Sequence, residues 1–388
     1  KPRAGAHGYK SSEPWLSRTP VVTGPTAEQL VAESELPTDF DWRNHGGRNW
    51  VTTDLNQHIP IYCGSCWIHG TVHSLNDRIK IFRQGRFPDV LLSRQALMNC
   101  VPDPTSTGPP PGCNGGDAWM IHKYMHEHKV PDDSCNPYVA QNQKCEPVNI
   151  CRNCFHNQTV GPDGHPFFTP GPCFGIDKFT GYGVSEYGSV SGEQAMMKEI
   201  YARGPIACNT ATDDTFVLNY STNAGVLREG VYVTDYPYTP AQIDHVMEVA
   251  GWGETESGLK YWLVRNSWGT YWGDMGWVKI RRGVNQQLVE SGCDWAVPTF
   301  DDVEKQLRSR VLGDYYKGIS VLPLAMETVA RAPEAAVARA VLAAQAETSA
   351  TGPMVAVALV AGTAGLLIGS AAMRVAGKAG PRQPVLLG

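Results

Sequence analysis

Eleven cysteines, every one lying between Cys63 and Cys293, constrain this chain more than any other feature. In an oxidising compartment thiols pair, so an odd number leaves at least one free. None falls in the first 62 residues or the last 95. The cross-linked part is therefore a bounded body with appendages on both sides. Ten cysteines alone allow on the order of a thousand pairings, and spacing does not choose among them. The sequons Asn157-Gln158-Thr159 and Asn219-Tyr220-Ser221 point, with the cysteine load, to the secretory pathway and to glycosylation at Asn157 and Asn219. At 388 residues the chain is too long for a miniature held by disulfides alone. Its net charge of -5 leaves no basic excess to neutralise phosphates, which argues against a nucleic-acid partner.

Composition divides the chain into segments. Residues 1–35, rich in Pro, Gly, Ser and Thr, read as a loosely ordered leader. The chain opens on Lys1 without an apolar run, as expected where a signal peptide has been removed. Residues 36–300 hold all the cysteines and ten of the eleven tryptophans. In this body Ile68, Val72, Leu75, Ile79 and Phe82 recur at helical spacing, and a second helix is expected over 117–128. Val231–Val233, His245–Trp252, Tyr261–Arg265 and Trp277–Ile280 read instead as strands between Gly-rich turns. Helices first and strands second predict an α+β protein of two lobes. Residues 301–353 form an Ala-rich linker. Residues 354–373 carry no charge and are long enough to cross a bilayer, and the basic tail 374–388, with Arg374, Lys378 and Arg382, would then face the cytosol.

The chemistry concentrates in Gln57-His58-Ile59-Pro60-Ile61-Tyr62-Cys63-Gly64-Ser65-Cys66-Trp67. Cys66 opens the first expected helix, where unpaired amides and the helix dipole favour a thiolate. Such a nucleophile needs a base and a group to orient it. Asp244-His245 starts one expected strand, and Arg265-Asn266-Ser267-Trp268-Gly269 ends the next, so adjacent strands would bring His245 and Asn266 together. Other readings of the same residues exist. Cys63-Gly64-Ser65-Cys66 could be a redox pair, but no βαβ pattern accompanies it and His245 and Asn266 would go unexplained. Cys135, Cys145, Cys151 and Cys154 could form a zinc knuckle. His122, His126 and His128 read as solvated helix residues rather than metal ligands.

Cys63-Gly64-Ser65-Cys66-Trp67 matches the nucleophile signature of the papain-like cysteine peptidases, and the chain resembles that family over residues 36–300. The match also rests on Asp41-Trp42-Arg43-Asn44, Cys113-Asn114-Gly115-Gly116 and Gly251-Trp252-Gly253. The three-residue insertion His58-Ile59-Pro60 is similar to that of the cathepsin X (cathepsin Z) branch. His245 and Asn266 lie 179 and 200 residues after Cys66, beyond the roughly 130–150 usual for the family, which places insertions at 103–112 and 145–173.

The resemblance implies a two-lobed papain-like fold with the cleft between the lobes. It implies Cys66 as nucleophile, His245 as acid/base, Asn266 as its orienter and Gln57 as oxyanion donor. Trp268 would shield the His245–Asn266 pair, Gly115 and Gly116 would take the substrate backbone, and His58, assisted by Tyr62, would bind a C-terminal carboxylate. It implies the disulfides Cys63–Cys113, Cys100–Cys145, Cys135–Cys151, Cys154–Cys173 and Cys208–Cys293, with Cys66 free. The expected activity is that of a monomeric cysteine carboxypeptidase, without metal or cofactor, acting on peptides with a free C-terminus in a lysosomal or extracellular setting; the expected membrane anchor comes from residues 354–373 and not from the resemblance. An endopeptidase or a catalytically silent binding protein are the alternatives, the latter opposed by the intact Cys66, His245, Asn266 and Gln57. Three departures from the branch are a leader without cysteine, the C-terminal membrane segment, and Asp244 where Asn is usual.

Overall fold

The computed structural model describes residues 8–105, 108–220 and 226–300. The linker 301–353, the apolar stretch 354–373 and the tail 374–388 lie outside the described residues, as does Ser221 of the second sequon. Among the described residues no helix is long and apolar enough to cross a membrane.

Six helices and eleven strands make up the described body. The helices are α1 (Ala27–Leu30), α2 (Cys66–Phe82), α3 (Arg94–Cys100), α4 (Ala118–Glu127), α5 (Glu193–Arg203) and α6 (Asp214–Asn219). The strands are β1 (Phe40–Asp41), β2 (Arg152–Val160), β3 (Pro166–Gly175), β4 (Tyr182–Val190), β5 (Ile206–Ala211), β6 (Leu227–Arg228), β7 (Val231–Tyr232), β8 (Ile243–Glu254), β9 (Lys260–Arg265), β10 (Trp277–Arg281) and β11 (Cys293–Phe300). The large sheet runs β4-β11-β5-β8-β9-β10-β7-β6, with β1 also paired to β8. β8 is its centre, buried along nearly its whole length.

The apolar stripe of α2 explains where that helix goes. Ile68, Val72, Leu75 and Ile79 are all buried in one core with Trp119, Ile121 and Val246. Gly70 lies on the side of α2 that meets β8. A Cβ there would stand 2.8 Å from the Val246 carbonyl oxygen, closer than real contacts allow, so glycine permits the approach. The five disulfides have the pairing that the resemblance implied, and Cys66 is the free thiol. The four cysteines of the zinc-knuckle reading are thus bridged. The insertion at 145–173 proves to be mostly the exposed hairpin β2–β3, stapled across its strands by Cys154–Cys173.

Three expectations need correction. The leader is not loosely ordered over residues 8–35: Val21 pairs with Tyr187, α1 packs on α5, and Ser12 and Arg18 bind the buried Asp117. Polar composition signals disorder only where the polar groups lack fixed partners, and here they have them. The later half is not strands alone, since α5 and α6 interrupt it. Met196, Met197 and Ile200 bury one side of α5, while the fully buried Glu199 pairs with Arg78 and Arg203, a charged pattern that hides the helix from a search for apolar periodicity. Finally, His122 is not solvated: it is fully buried in α4 with no hydrogen-bond partner on either ring nitrogen, while His126 and His128 are exposed.

Burial keeps three imidazoles neutral, lowering His122 to about 3 and holding His69 and His73 well below the ordinary value. In the unfolded chain these groups titrate near 6.5. Below that pH the unfolded state binds more protons, so their contribution to stability is full above pH 6.5 and falls as pH drops. Replacing His122→Gln should flatten the acid loss of unfolding free energy by up to about 1.4 kcal/mol per pH unit between pH 6.5 and 4. Urea unfolding of both proteins at pH 7 and 4.5 measures this, and parallel losses would contradict it.

Candidate active site

Cys66 begins α2 just after Ser65, which occupies the N-cap position. The segment ahead of it is held by the Cys63–Cys113 bridge and by the Gly64 amide donating to the Cys113 carbonyl at 3.1 Å. The amides of Val246 and Trp67 face the Cys66 sulfur, so the sulfur lies against the strand that carries His245. These amides favour the thiolate, as the helix start led one to expect. Burial outweighs them: Cys66 is fully enclosed and its thiol is pushed well above the ordinary range.

β8 and β9 pair antiparallel, with Glu248 opposite Arg265. This register sets His245 near the start of one strand beside Asn266 just past the end of the other. His245 Nε2–H donates to Asn266 Oδ1 at 2.8 Å, and the same oxygen accepts the Ser267 amide at 2.7 Å. The Trp268 ring stacks on His245 with centroids 4.9 Å apart, and Trp272 meets Trp268 edge-on. Asp244, next to the histidine, turns into the protein and accepts from the Thr212 amide and hydroxyl, both at 3.0 Å. Burial raises its carboxyl to about 7.

Gln57 is fully buried beside this pair. Its Nε2 donates to the Cys63 carbonyl at 3.0 Å, and its Oε1 accepts from Ser267 Oγ at 2.7 Å. Ser267, which sequence reading passed over, thus fixes which end of the amide points at the cysteine loop; its place inside Arg265-Asn266-Ser267-Trp268-Gly269 was the available signal. His58 and Tyr62 lie on the same loop with their rings stacked at 4.5 Å. The Cys63 amide approaches His58 Nδ1 at 3.5 Å, a long bond that places the ring proton on Nε2. Burial lowers the His58 pKa.

The cleft strip at Gly115 and Gly116 is occupied by the leader. Gly116 N–H donates to the Gly8 carbonyl at 2.9 Å and Lys10 N–H to the Gly116 carbonyl at 2.8 Å, while Tyr9 N–H reaches the Asp244 carbonyl at 3.2 Å. Gly115 adopts φ +100°, and a Cβ there would stand 2.6 Å from Gly8 O. Both the left-handed backbone and the close approach call for glycine.

A buried ion cluster underlies the site. Arg265 Nη2 binds Asp77 of α2 at 2.8 Å, and its Nε lies 3.2 Å from Glu248 of β8 and 3.4 Å from Asp54. Elsewhere, Asn157 stands exposed on β2, its amide donating to the Pro170 carbonyl at 3.2 Å. The side chain of Asn219 lies outside the described set. Among the described residues no group of three or more His, Cys, Asp or Glu side chains could hold a metal ion.

The sequence pattern described as papain family cysteine protease matches residues 36–299. The chain belongs to the papain family of cysteine peptidases. "Cathepsin Z" of Onchocerca volvulus is 39% identical over 272 residues, covering 68% of this chain and 78% of the relative. "Cathepsin B-like cysteine proteinase 6" of Caenorhabditis elegans is 31% identical over 304 residues, 73% of each. Among solved structures, procathepsin B S9 from Trypanosoma congolense aligns with a TM-score of 0.53 at 22% identity, over 76% of this chain and 87% of that one, a likeness of fold.

A buried thiol under a docked leader should react slowly. Alkylation of Cys66 by iodoacetamide at pH 7 should accelerate at least about tenfold once residues 1–35 are cleaved and removed, as the thiol regains solvent while keeping the amides that already face it. Peptide mass mapping follows it, and an unchanged rate would contradict the account.

Proposed function

We propose that the chain is a cysteine-type carboxypeptidase that removes single residues from the C-terminus of peptides. The observation that carries this reading is the placement of His58. It sits on the loop directly before the nucleophile, next to Gln57, with its Nε2–H available as a donor while Nδ1 faces the Cys63 amide. A donor there, at the leaving-group end of the cleft, favours a peptide whose carboxylate ends one residue past the scissile bond. The relative named cathepsin Z supports the same reading.

In the proposed reaction the Cys66 thiolate attacks the last peptide carbonyl. Gln57 Nε2 and the Cys66 amide donate to the oxyanion, where such donors act most strongly on the developing charge. His245 protonates the departing amino acid, then takes a proton from the water that hydrolyses the thioester. The hydrogen bond to Asn266 fixes the orientation of the imidazole, and Trp268 screens that bond from water. Neither metal nor organic cofactor has a step to perform.

The same reading makes residues 1–35 an inhibitory propeptide, residues 36–300 the catalytic domain, and the working form a monomer. The cysteine bridges and the sequons at Asn157 and Asn219 support a secretory or lysosomal setting. The charge-free residues 354–373 support a membrane anchor, which extraction with alkaline carbonate tests: release of the full-length chain would remove it.

Matched peptides with free and amidated C-termini decide the activity. The free form should lose single residues and the amidated form should resist. Equal internal cleavage of both would establish an endopeptidase instead, and turnover surviving Cys66→Ala would sink the mechanism. His58→Ala should abolish the preference for the free carboxylate. Because burial lowers its pKa, His58 gains charge only as pH falls below the ordinary imidazole range, so in the wild type that preference should grow on acidification.

A further inference from the structure

One residue beyond Gly116, where the leader backbone enters the cleft, the protein holds a site built for a guanidinium. Arg18 of the leader occupies it. Its Nη2 binds Asp117 Oδ2 at 2.7 Å, and its Nη1 lies 3.2 and 3.3 Å from the two oxygens of Asp294. The guanidinium carbon stands 5.3 Å over the Trp119 ring, within the range of a cation–π contact. Both carboxylates are buried, with side chains 0% and 2% exposed, and Trp119 is buried too. Asp117 is the N-cap of α4 and also accepts the Ser12 amide and hydroxyl at 2.6 and 2.8 Å, while Asp294, on β11, accepts from Ser189 Oγ at 2.6 Å. Among the described residues, Arg18 is the only cation hydrogen-bonded to either acid.

This arrangement is unbalanced once the leader departs. The peptidase body supplies both carboxylates and the indole, and the leader supplies the only positive charge. Two buried carboxylates deprived of that charge are costly, and a ligand that restores it is favoured accordingly. We infer that Asp117, Asp294 and Trp119 form a specificity site for a basic side chain of the substrate, with arginine preferred, and that Arg18 of the leader holds that place before activation. The site adjoins Gly116, so a peptide lying along the same strip brings a side chain upstream of its scissile bond to it. Two carboxylates set for a fork and one aromatic face suit a planar guanidinium better than the compact ammonium of lysine. The inference rests on the peptidase reading given above and says which peptides that site selects.

The experiment uses the full-length protein activated by limited proteolysis of its leader. Peptides with a free C-terminus carry Arg, Lys or the neutral isostere citrulline at either of the two positions before the scissile bond. At one position Arg should exceed citrulline by about tenfold in kcat/KM, chiefly through KM, with Lys between. Asp294→Asn and Asp117→Asn should bring Arg and citrulline within about twofold of each other; Asn retains the N-cap of α4, which guards the second variant's fold. Equal turnover of Arg and citrulline peptides by the wild type, or an Arg preference that survives both substitutions, would overturn the site. A second measurement needs neither variants nor turnover. A synthetic peptide of residues 8–22 should bind the activated wild-type protein about tenfold more tightly with Arg18 than with citrulline at that place, and equal binding would also overturn it. Binding that distinguishes the two while no peptide is cleaved would leave this site standing and defeat the carboxypeptidase reading.

Discussion

The Arg265 cluster is the interaction on which the site depends. One guanidinium at the end of β9 reaches Asp77 on α2 and Glu248 on β8, which are the elements that carry Cys66 and His245, while Asn266 is the next residue along its own chain. All three side chains are fully buried. Asp77 further accepts the Thr52 amide at 2.7 Å and the Thr52 hydroxyl at 2.6 Å, tying in the segment that leads to Gln57. An unpaired charge at this depth is strongly unfavourable, so the three elements keep one spacing. Burial also raises the Glu248 carboxyl, against the pull of Arg265. The close contact at Gly70 then lets α2 reach β8 without a side chain between them.

Around that centre each proposed reacting group is oriented by a neighbour. Ser267 fixes the Gln57 amide, the Asn266 carbonyl fixes the imidazole tautomer, and Trp268 with Trp272 closes the ring face. The disulfide Cys63–Cys113 joins the loop before Cys66 to the loop before Gly115, so both margins of the cleft beside Cys66 are fixed to one another.

Much of this was legible in the chain because it is written in local patterns. The apolar stripe from Ile68 to Phe82 forecast α2, and two β-prone runs joined by a turn forecast the meeting of His245 with Asn266. What escaped notice depends on partners distant in sequence. The leader resembles a flexible segment until Ser12 and Arg18 are seen to bind Asp117 about a hundred residues later. Helix α5 hides its packing face behind Glu199 and Arg203, which pair with each other and, through Arg78 of α2, with a part of the chain far off in sequence. His122 looked solvated because imidazole is polar, yet its position on α4 faces the core. The carboxylate pair at Asp117 and Asp294 is invisible for the same reason, since the residues are brought together by β11 and the start of α4.

The leader is held in the cleft by backbone hydrogen bonds at Gly116 and by an ion pair. Its occupancy is therefore that of a tethered ligand. While the peptide connection is intact, the leader faces the cleft at an effective concentration set by the tether, which for short flexible links is in the millimolar range, and dilution does not weaken it. A single cut between the leader and the body turns the same contacts into an ordinary bimolecular complex that dilution dissolves. On the reading of residues 1–35 as a propeptide, the cutting of one bond would set when the cleft opens.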